Sequence, residues 1–199
     1  MNFDIIKRHI SPSSVLDIGA NHGWWFEEAR CRWPDARYLM IEGNPECESI
    51  LRERNTPYVI ALLSDSEKTV DFWTRKDAAS CTGASYMREQ TEFYNDERAV
   101  SVQIQTRRLD DVCRDAFDLV KIDTQGSEID VMRGGPLVIS TAAAVLLEVS
   151  RVEYNKGAPL QDEVVEFMAS IGFQRFVDVG EIVHPVTREH IQTDRLFLR

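Results

Sequence analysis

The sequence predicts an α/β domain built on an open, mostly parallel sheet, and three observations carry that expectation. Short apolar runs alternate with helical patterns, the mark of repeated βαβ units. The first run, Val15-Leu16-Asp17-Ile18, leads straight into a loop with glycines at positions 19 and 23. Three of the strand-like runs carry an acid at or beside their end, at Asp17, Glu42 and Asp123. With 199 residues the chain has the size of one such domain, and no repeat, low-complexity tract or Pro/Gly/Ser linker divides it. A single domain over residues 1–199 is expected.

The elements follow in order. Residues 3–10 read as a short leading helix, broken by Ser11-Pro12-Ser13. After the strand at 15–18, a helix is expected over 24–33, stopped by Pro34-Asp35. Residues 37–41 form a second strand. Pro45 then opens a helix, where its missing N–H costs nothing. A third strand is expected at 58–62. The alternation then breaks: 69–73 and 100–105 read as strands, while 75–99 mixes small, polar and aromatic residues. A stretch of that length between core strands suits a substrate-side insertion or lid. Residues 117–122 and 142–149 are apolar enough for central strands covered on both faces. An amphipathic helix is expected over 160–171, with Val164, Val165, Phe167, Met168 and Ile171 facing inward. Two strands, 173–177 and 195–198, close the chain, joined by a longer and partly polar connection.

Composition narrows the function. The chain is 43% hydrophobic and 28% charged, as in soluble globular proteins. No apolar run approaches the roughly 20 residues of a membrane span. The start, MNFDIIKRHI, is too charged for a secretory signal, so a cytoplasmic location without membrane contact is expected. Cys31, Cys47, Cys81 and Cys113 are widely spaced and read as free thiols in a reducing compartment. None of the four histidines lies at ligand spacing from another histidine or a cysteine, which argues against a zinc site. A net charge of −10 argues against nucleic acid as a partner, because phosphate binding needs a basic face.

The segment VLDIGANHG carries the most chemistry. Gly19 lacks a β-carbon, so a ligand can lie against backbone N–H groups there, and the helix starting near Gly23 adds its positive end. Ligands of open parallel sheets bind outside the carboxyl ends of strands, where this loop falls. A dinucleotide fingerprint would read G-x-G-x-x-G, whereas these glycines stand four apart with Asp17 before them. That acid suits a ligand with a cationic amino-acid end better than a pyrophosphate. Glu42 closes the run YLMIE, 25 residues after Asp17, near the spacing of a ribose-binding acid. One carboxylate can accept both ribose hydroxyls. Asp123, in KIDTQGSE, ends another buried strand on the same sheet edge.

VLDIGANHG, IEGNP, TRRLDDV, KIDTQGSE with the following VMRGG, and LLEVS resemble, in that order, the motifs of FkbM-type methyltransferases over residues 15–150. The resemblance implies a Rossmann-like class I methyltransferase sheet, mostly parallel and seven-stranded, with an antiparallel C-terminal strand and the insertion between strands three and four. It implies S-adenosylmethionine as cofactor. By position Asp17, Gly19, Asn21 and Gly23 then serve the methionine and ribose side, Glu42 the ribose diol with Asn44 beside it, and Ser64 and Asp65 the adenine. The acceptor is expected to be a small molecule or glycan, methylated at a hydroxyl of a sugar or natural product. Two positions depart from the family pattern: Gly43 stands where a proline is usual, and Gln125 where an acid often precedes the glycine.

A sugar hydroxyl is a weak nucleophile, so a base or a metal should help remove its proton, with magnesium the metal to consider. Asp123 is the first candidate, as base or metal ligand; the alternative is a structural bond to the amides of its own turn. Glu148 is the second candidate base. His22 is a third, histidine being the natural base near neutral pH, although it occupies an unspecified position of the glycine loop. Glu128 reads as a helix cap. Trp24 and Trp25 read as packing against the sheet rather than stacking on substrate. Ser80, Thr82, Gly83, Ser85, Tyr86, Phe93 and Tyr94 offer hydroxyls and flat faces for an acceptor, or else mark a surface excursion. A homodimer completing the acceptor site is a further expectation. The rival readings are a nicotinamide-dependent oxidoreductase, which lacks its three-glycine fingerprint here, and a non-catalytic module that retains a nucleotide-type pocket.

Overall fold

The computed structural model describes residues 1–76, 82–91, 94–183 and 189–199. The chain opens with α1 (Phe3–His9), whose first turn is capped by the Asn2 side chain accepting the Asp4 and Ile5 N–H groups. β1 (Ser14–Ile18), α2 (Trp24–Arg32) and β2 (Arg37–Glu42) form the first βαβ unit. A 3₁₀ turn begun by Pro45 and then α3 (Glu48–Glu53) lead to β3 (Tyr58–Ile60). β4 (Thr69–Arg75) and β5 (Ala99–Gln105) follow, then α4 (Leu109–Val112), β6 (Leu119–Ile122), α5 (Glu128–Gly134), α6 (Pro136–Thr141), β7 (Ala144–Ser150) and α7 (Gln161–Ser170). β8 (Arg175–Val183) and β9 (His190–Leu198) complete the described elements.

Seven strands form one sheet in the order β3-β2-β1-β6-β7-β9-β8, and β9 alone runs antiparallel to its neighbours. β1 and β6 are buried at every position, which is why both read as short apolar runs. Side chains alternate between the two faces. Leu16, Ile18, Val120 and Ile122 pack with Val131, Val138 and Met168 from α5, α6 and α7. Val15, Leu119 and Leu146 pack with Ile6, Phe26 and Leu51 from α1, α2 and α3. Asp17 and Lys121 share the parity of this second face and stand opposite each other in register.

The chain leaves β3 at one edge and returns as β6 beside β1. The sheet order therefore reverses between β1 and β6, the place where open α/β sheets hold their ligands. The excursion between β3 and β6 carries β4 and β5, paired with each other as a separate antiparallel ribbon. From it residues 82–91 run as a strap. Ser85 exchanges backbone bonds with Trp73 of β4, while Glu89 pairs with Asn155 and the Lys156 N–H reaches Arg88 O. Ser80, Phe93 and Cys81 lie outside the described residues.

The final strand pair is much longer than the sequence suggests. In β8 the register shifts between Asp178 and Gly180, so the inward period breaks mid-strand. In β9 the buried positions include Gln192, Thr193 and Arg195, polar residues that hide a strand. Arg195 is satisfied there by two bonds to Asp178, at 2.6 and 3.1 Å. No helix among the described residues is long and apolar enough to cross a membrane.

Candidate active site

The glycine loop is shaped by backbone packing first. Gly19, Asn21 and Gly23 all take positive φ, at 71°, 50° and 75°. A β-carbon on Gly19 would lie 1.8 Å from Asp123 O, so only glycine lets the end of β1 pass that close to the end of β6. The Gly19 and Ala20 N–H groups both donate to Ile41 O, at 2.9 and 3.2 Å. The Gly19 N–H is thus committed to β2 rather than offered to a ligand, as its glycine had suggested. Gly23 caps α2 and faces Arg54, whose Nε donates to His22 O at 2.9 Å.

Glu42 closes β2 almost wholly buried, and burial pushes its carboxyl above the ordinary range. Two backbone groups pull the other way: Asn44 N–H donates to Oε1 at 2.7 Å and Asn21 N–H to Oε2 at 2.6 Å. Each oxygen thereby keeps one further lone pair. Beside it, Asn44 accepts the Glu46 N–H through Oδ1, while its Nδ2 is buried without a hydrogen-bond partner.

These groups open on a cavity at the carboxyl ends of β1, β2 and β6. Gly19, Asn21, Glu42 and Asp123 line it, with Ala61, Leu62, Leu63 and Phe72 as an apolar wall and Thr82 to Ser85 of the strap across it. Of the residues expected to hold a cofactor, the structure brings Gly19, Asn21 and Glu42 together here. Asp17, Gly23, Asn44, Ser64 and Asp65 do not line the cavity. Ser64 is buried and bonds Asp65 and Tyr86. Asp65 turns to Lys68 at 2.9 Å and to Ser66, bonds that hold its carboxyl down at about 2. The preceding residue, Leu63, lines the cavity.

Asp17 lies behind the cavity, fully buried, with Lys121 Nζ 3.1 Å from its carboxylate. Burial works to lower the Lys121 ammonium, but Asp17, Asp123 and Glu42 override it and hold it above its ordinary value. Nζ also donates to Gly19 O at 3.1 Å and lies 3.5 Å from Asp123. Sequence reasoning missed Lys121, though a lysine inside the apolar run Leu-Val-Lys-Ile was a visible signal. The turn after Asp123 is held by Glu128, whose Oε1 accepts the Thr124 and Gly126 N–H groups at 2.9 and 3.1 Å. Asp123 is left free of that structural duty. Gln125 Nε2 reaches its Oδ1 at 2.8 Å.

Glu148 lines a second cavity, with Glu89, Tyr94, Gln125, Tyr154 and Gln192. Gln125, Thr82 and Gly83 belong to both cavities, so the two adjoin. His22 lines neither; its ring packs edge-on against Trp24. Trp24 is largely exposed, and Trp25 packs on Phe3. Among the described residues no group of three or more His, Cys, Asp or Glu side chains is placed to hold a metal ion, so the magnesium expectation finds no ligand set there.

The sheet order, the glycine loop against β6 and the acid closing β2 define a class I methyltransferase fold. Residues 17–175 match the methyltransferase FkbM domain, and the chain belongs to that family. It is 28% identical over 160 residues to the 2-O-methyltransferase NoeI of Sinorhizobium fredii, covering 72% of this chain and 65% of that protein. It is 27% identical over 167 residues to methyltransferase sdnD of Sordaria araneosa, covering 66% of this chain and 63% of that protein. The chain thus spans a little under two thirds of these relatives' length. Among solved structures, the methyltransferase FkbM of Methylobacillus flagellatus KT superimposes with a TM-score of 0.59 at 17% identity, over 93% of this chain and 43% of that one. The plantazolicin methyltransferase BpumL, solved in complex with SAH, gives 0.52 at 10% identity, over 99% and 80%.

Proposed function

We propose that this chain is an S-adenosylmethionine-dependent methyltransferase that acts on a hydroxyl oxygen of a sugar or natural product. One observation carries the cofactor. Each Glu42 oxygen holds a single backbone N–H, which leaves the pair free to accept the two hydroxyls of a ribose diol. The rest of the cavity fits the same group. The unpartnered Asn44 Nδ2 lies next to Glu42, an aromatic and aliphatic wall suits a purine, and the carboxylates around Lys121 outnumber it, as a sulfonium would require.

When bound, this cofactor supplies a methyl group on a positively charged sulfur. The chain's own residues then position and exclude. Gly19, Asn21 and Glu42 hold the nucleoside, Asp17 acts through Lys121 on the Gly19 carbonyl, and Thr82 and Gly83 of the strap line the join between the cavities. Positioning of this kind is the largest contribution expected for an in-line displacement. The hydroxyl class of acceptor is supported by the kinship with a protein named as a 2-O-methyltransferase.

The test is calorimetric titration with S-adenosylmethionine and S-adenosylhomocysteine, on the wild type and on Glu42→Ala. Micromolar binding, weakened about tenfold or more by the substitution (about 1.4 kcal/mol), is expected. A folded wild-type chain that binds neither would overturn the reading in favour of a non-catalytic module.

A further inference from the structure

The acceptor's proton is the part of this reaction that the cofactor cavity leaves unassigned. Two carboxylates stand near the carboxyl ends of adjacent strands, Asp123 after β6 and Glu148 on β7, and they are not equivalent. Asp123 lines the cofactor-side cavity, with Lys121 at 3.5 Å and Gln125 at 2.8 Å. Glu148 lines the second cavity and has no lysine or arginine within ion-pair distance among the described residues. Its Oε2 accepts from two amides, Gln125 Nε2 at 3.1 Å and Gln192 Nε2 at 2.8 Å. No hydrogen bond from a described residue reaches its Oε1.

Gln125 joins the two acids. It sits in the left-handed region at φ 56° and lines both cavities. A single amide nitrogen carries two hydrogens, and here one serves Asp123 while the other serves Glu148. An acid at this position would add a third negative charge between two others; the amide ties them instead. Gln192, arriving on β9, fixes the same oxygen of Glu148 from the other side.

From this geometry we infer that Glu148 Oε1 is the atom that takes the acceptor's proton, with Gln125 and Gln192 as the residues that position it. The inference rests on the methyltransferase reading above and replaces Asp123, the base first expected. The acceptor O–H gives its proton to Oε1 as its oxygen forms a bond to the methyl carbon. The carbon–sulfur bond breaks with its electron pair remaining on sulfur, which becomes a neutral thioether, and the proton passes from Glu148 to solvent. Burial, then the negative charges of Asp123, Asp194 and Glu128, strengthen Glu148 as a base. The other charged or titratable groups facing it across the cavity are Glu89, Arg75, Tyr94 and Tyr154.

The test is carbon NMR of protein labelled at the glutamate side-chain carboxyl, titrated with S-adenosylhomocysteine bound. Loss of one signal in Glu148→Gln assigns Glu148. Its midpoint is expected above the ordinary glutamate value of about 4.3. It should rise by about half a unit or more in Gln125→Met and in Gln192→Met, since each removes a donor to the charged form. An ordinary midpoint, or one indifferent to both glutamines, overturns the inference. Glu148→Gln should also keep S-adenosylhomocysteine affinity within about twofold while losing about 100-fold or more in methyl transfer to a panel of methyl glycosides. Transfer that survives in Glu148→Gln but is lost in Asp123→Asn returns the role to Asp123. Absence of S-adenosylhomocysteine binding in the wild type sinks the underlying reading instead, so the two failures are distinguishable.

Discussion

Removing the Lys121 ammonium should be among the most damaging single changes to this fold. Lys121 is 4% exposed and Asp17 is 0% exposed, 3.1 Å apart, with Lys121 the only group among the described residues paired to that carboxylate. Lys121→Met fills much of the space but leaves Asp17 buried without a counter-charge. Breaking a buried pair from one side costs about 3–5 kcal/mol. At about 2–4 °C per kcal/mol for a chain of this size, the unfolding midpoint should drop by about 6–20 °C. The sign with pH is fixed. Burial already raises Asp17, and loss of Lys121 raises it further, above its value in the unfolded chain. Between those two values the folded state holds more protons, so the variant's deficit shrinks as pH falls and widens as it rises. The double change Asp17→Asn with Lys121→Met should lose less than the sum of the single ones, because the orphaned charge is gone. Urea unfolding followed by far-ultraviolet circular dichroism measures all three variants. A loss below about 1 kcal/mol in Lys121→Met, or strict additivity in the double variant, would refute the reasoning.

Two further outcomes follow from the same site. Because burial raises the Glu42 carboxyl, S-adenosylhomocysteine affinity should fall on acidification before an ordinary glutamate would protonate, and Glu42→Gln should lack that dependence; calorimetry across the mildly acidic range checks it. The same raised value means that Glu42 costs stability when charged and returns it on protonation, so binding and stability move in opposite directions. Gly19→Ala meets both a positive φ and a backbone oxygen 1.8 Å from the new carbon, whereas Gly157→Ala meets a positive φ of 78° with nothing within 4 Å. The second should cost only about 1–2 kcal/mol and the first clearly more, with loss of cofactor binding, as chemical unfolding and calorimetry would show.

What the sequence revealed depended on whether the cause was local. The glycine loop and Glu42 were legible because a strand, a turn and a helix start leave their marks within a few residues. The positions of β1, β2, β3, β6 and β7 were legible for the same reason. The end of the sheet was not: β8 loses its period at the bulge between Asp178 and Gly180, and β9 buries Gln192, Thr193 and Arg195 by pairing them with partners remote in the chain. Ser64 and Asp65 were placed by position alone. Asp65 is turned by its near neighbours Ser66 and Lys68, whereas Ser64 meets Tyr86 of the strap, a contact 22 residues away that no local pattern encodes. Lys121 was hidden by its neighbours, since an apolar run invites the reader to discount the one residue that breaks it.

The site and the strand junction cannot be separated in this chain. Lys121 holds the Gly19 carbonyl, Asp17 and Asp123 at once, and Gly19 itself has no room for a side chain because Asp123 O lies against it. The ends of β1 and β6 are thus locked by the same atoms that set the cavity wall. Around that single ammonium stand Asp17, Glu42 and Asp123, with Glu128 and Glu148 close behind, and burial raises the proton affinity of Asp17, Glu42, Glu128 and Glu148 alike. A concentration of buried acids disfavours the folded state through self-repulsion and desolvation. Under the proposed function, S-adenosylmethionine, a cation, should therefore bind this cluster more tightly than its neutral thioether product, and calorimetry with both ligands compares them.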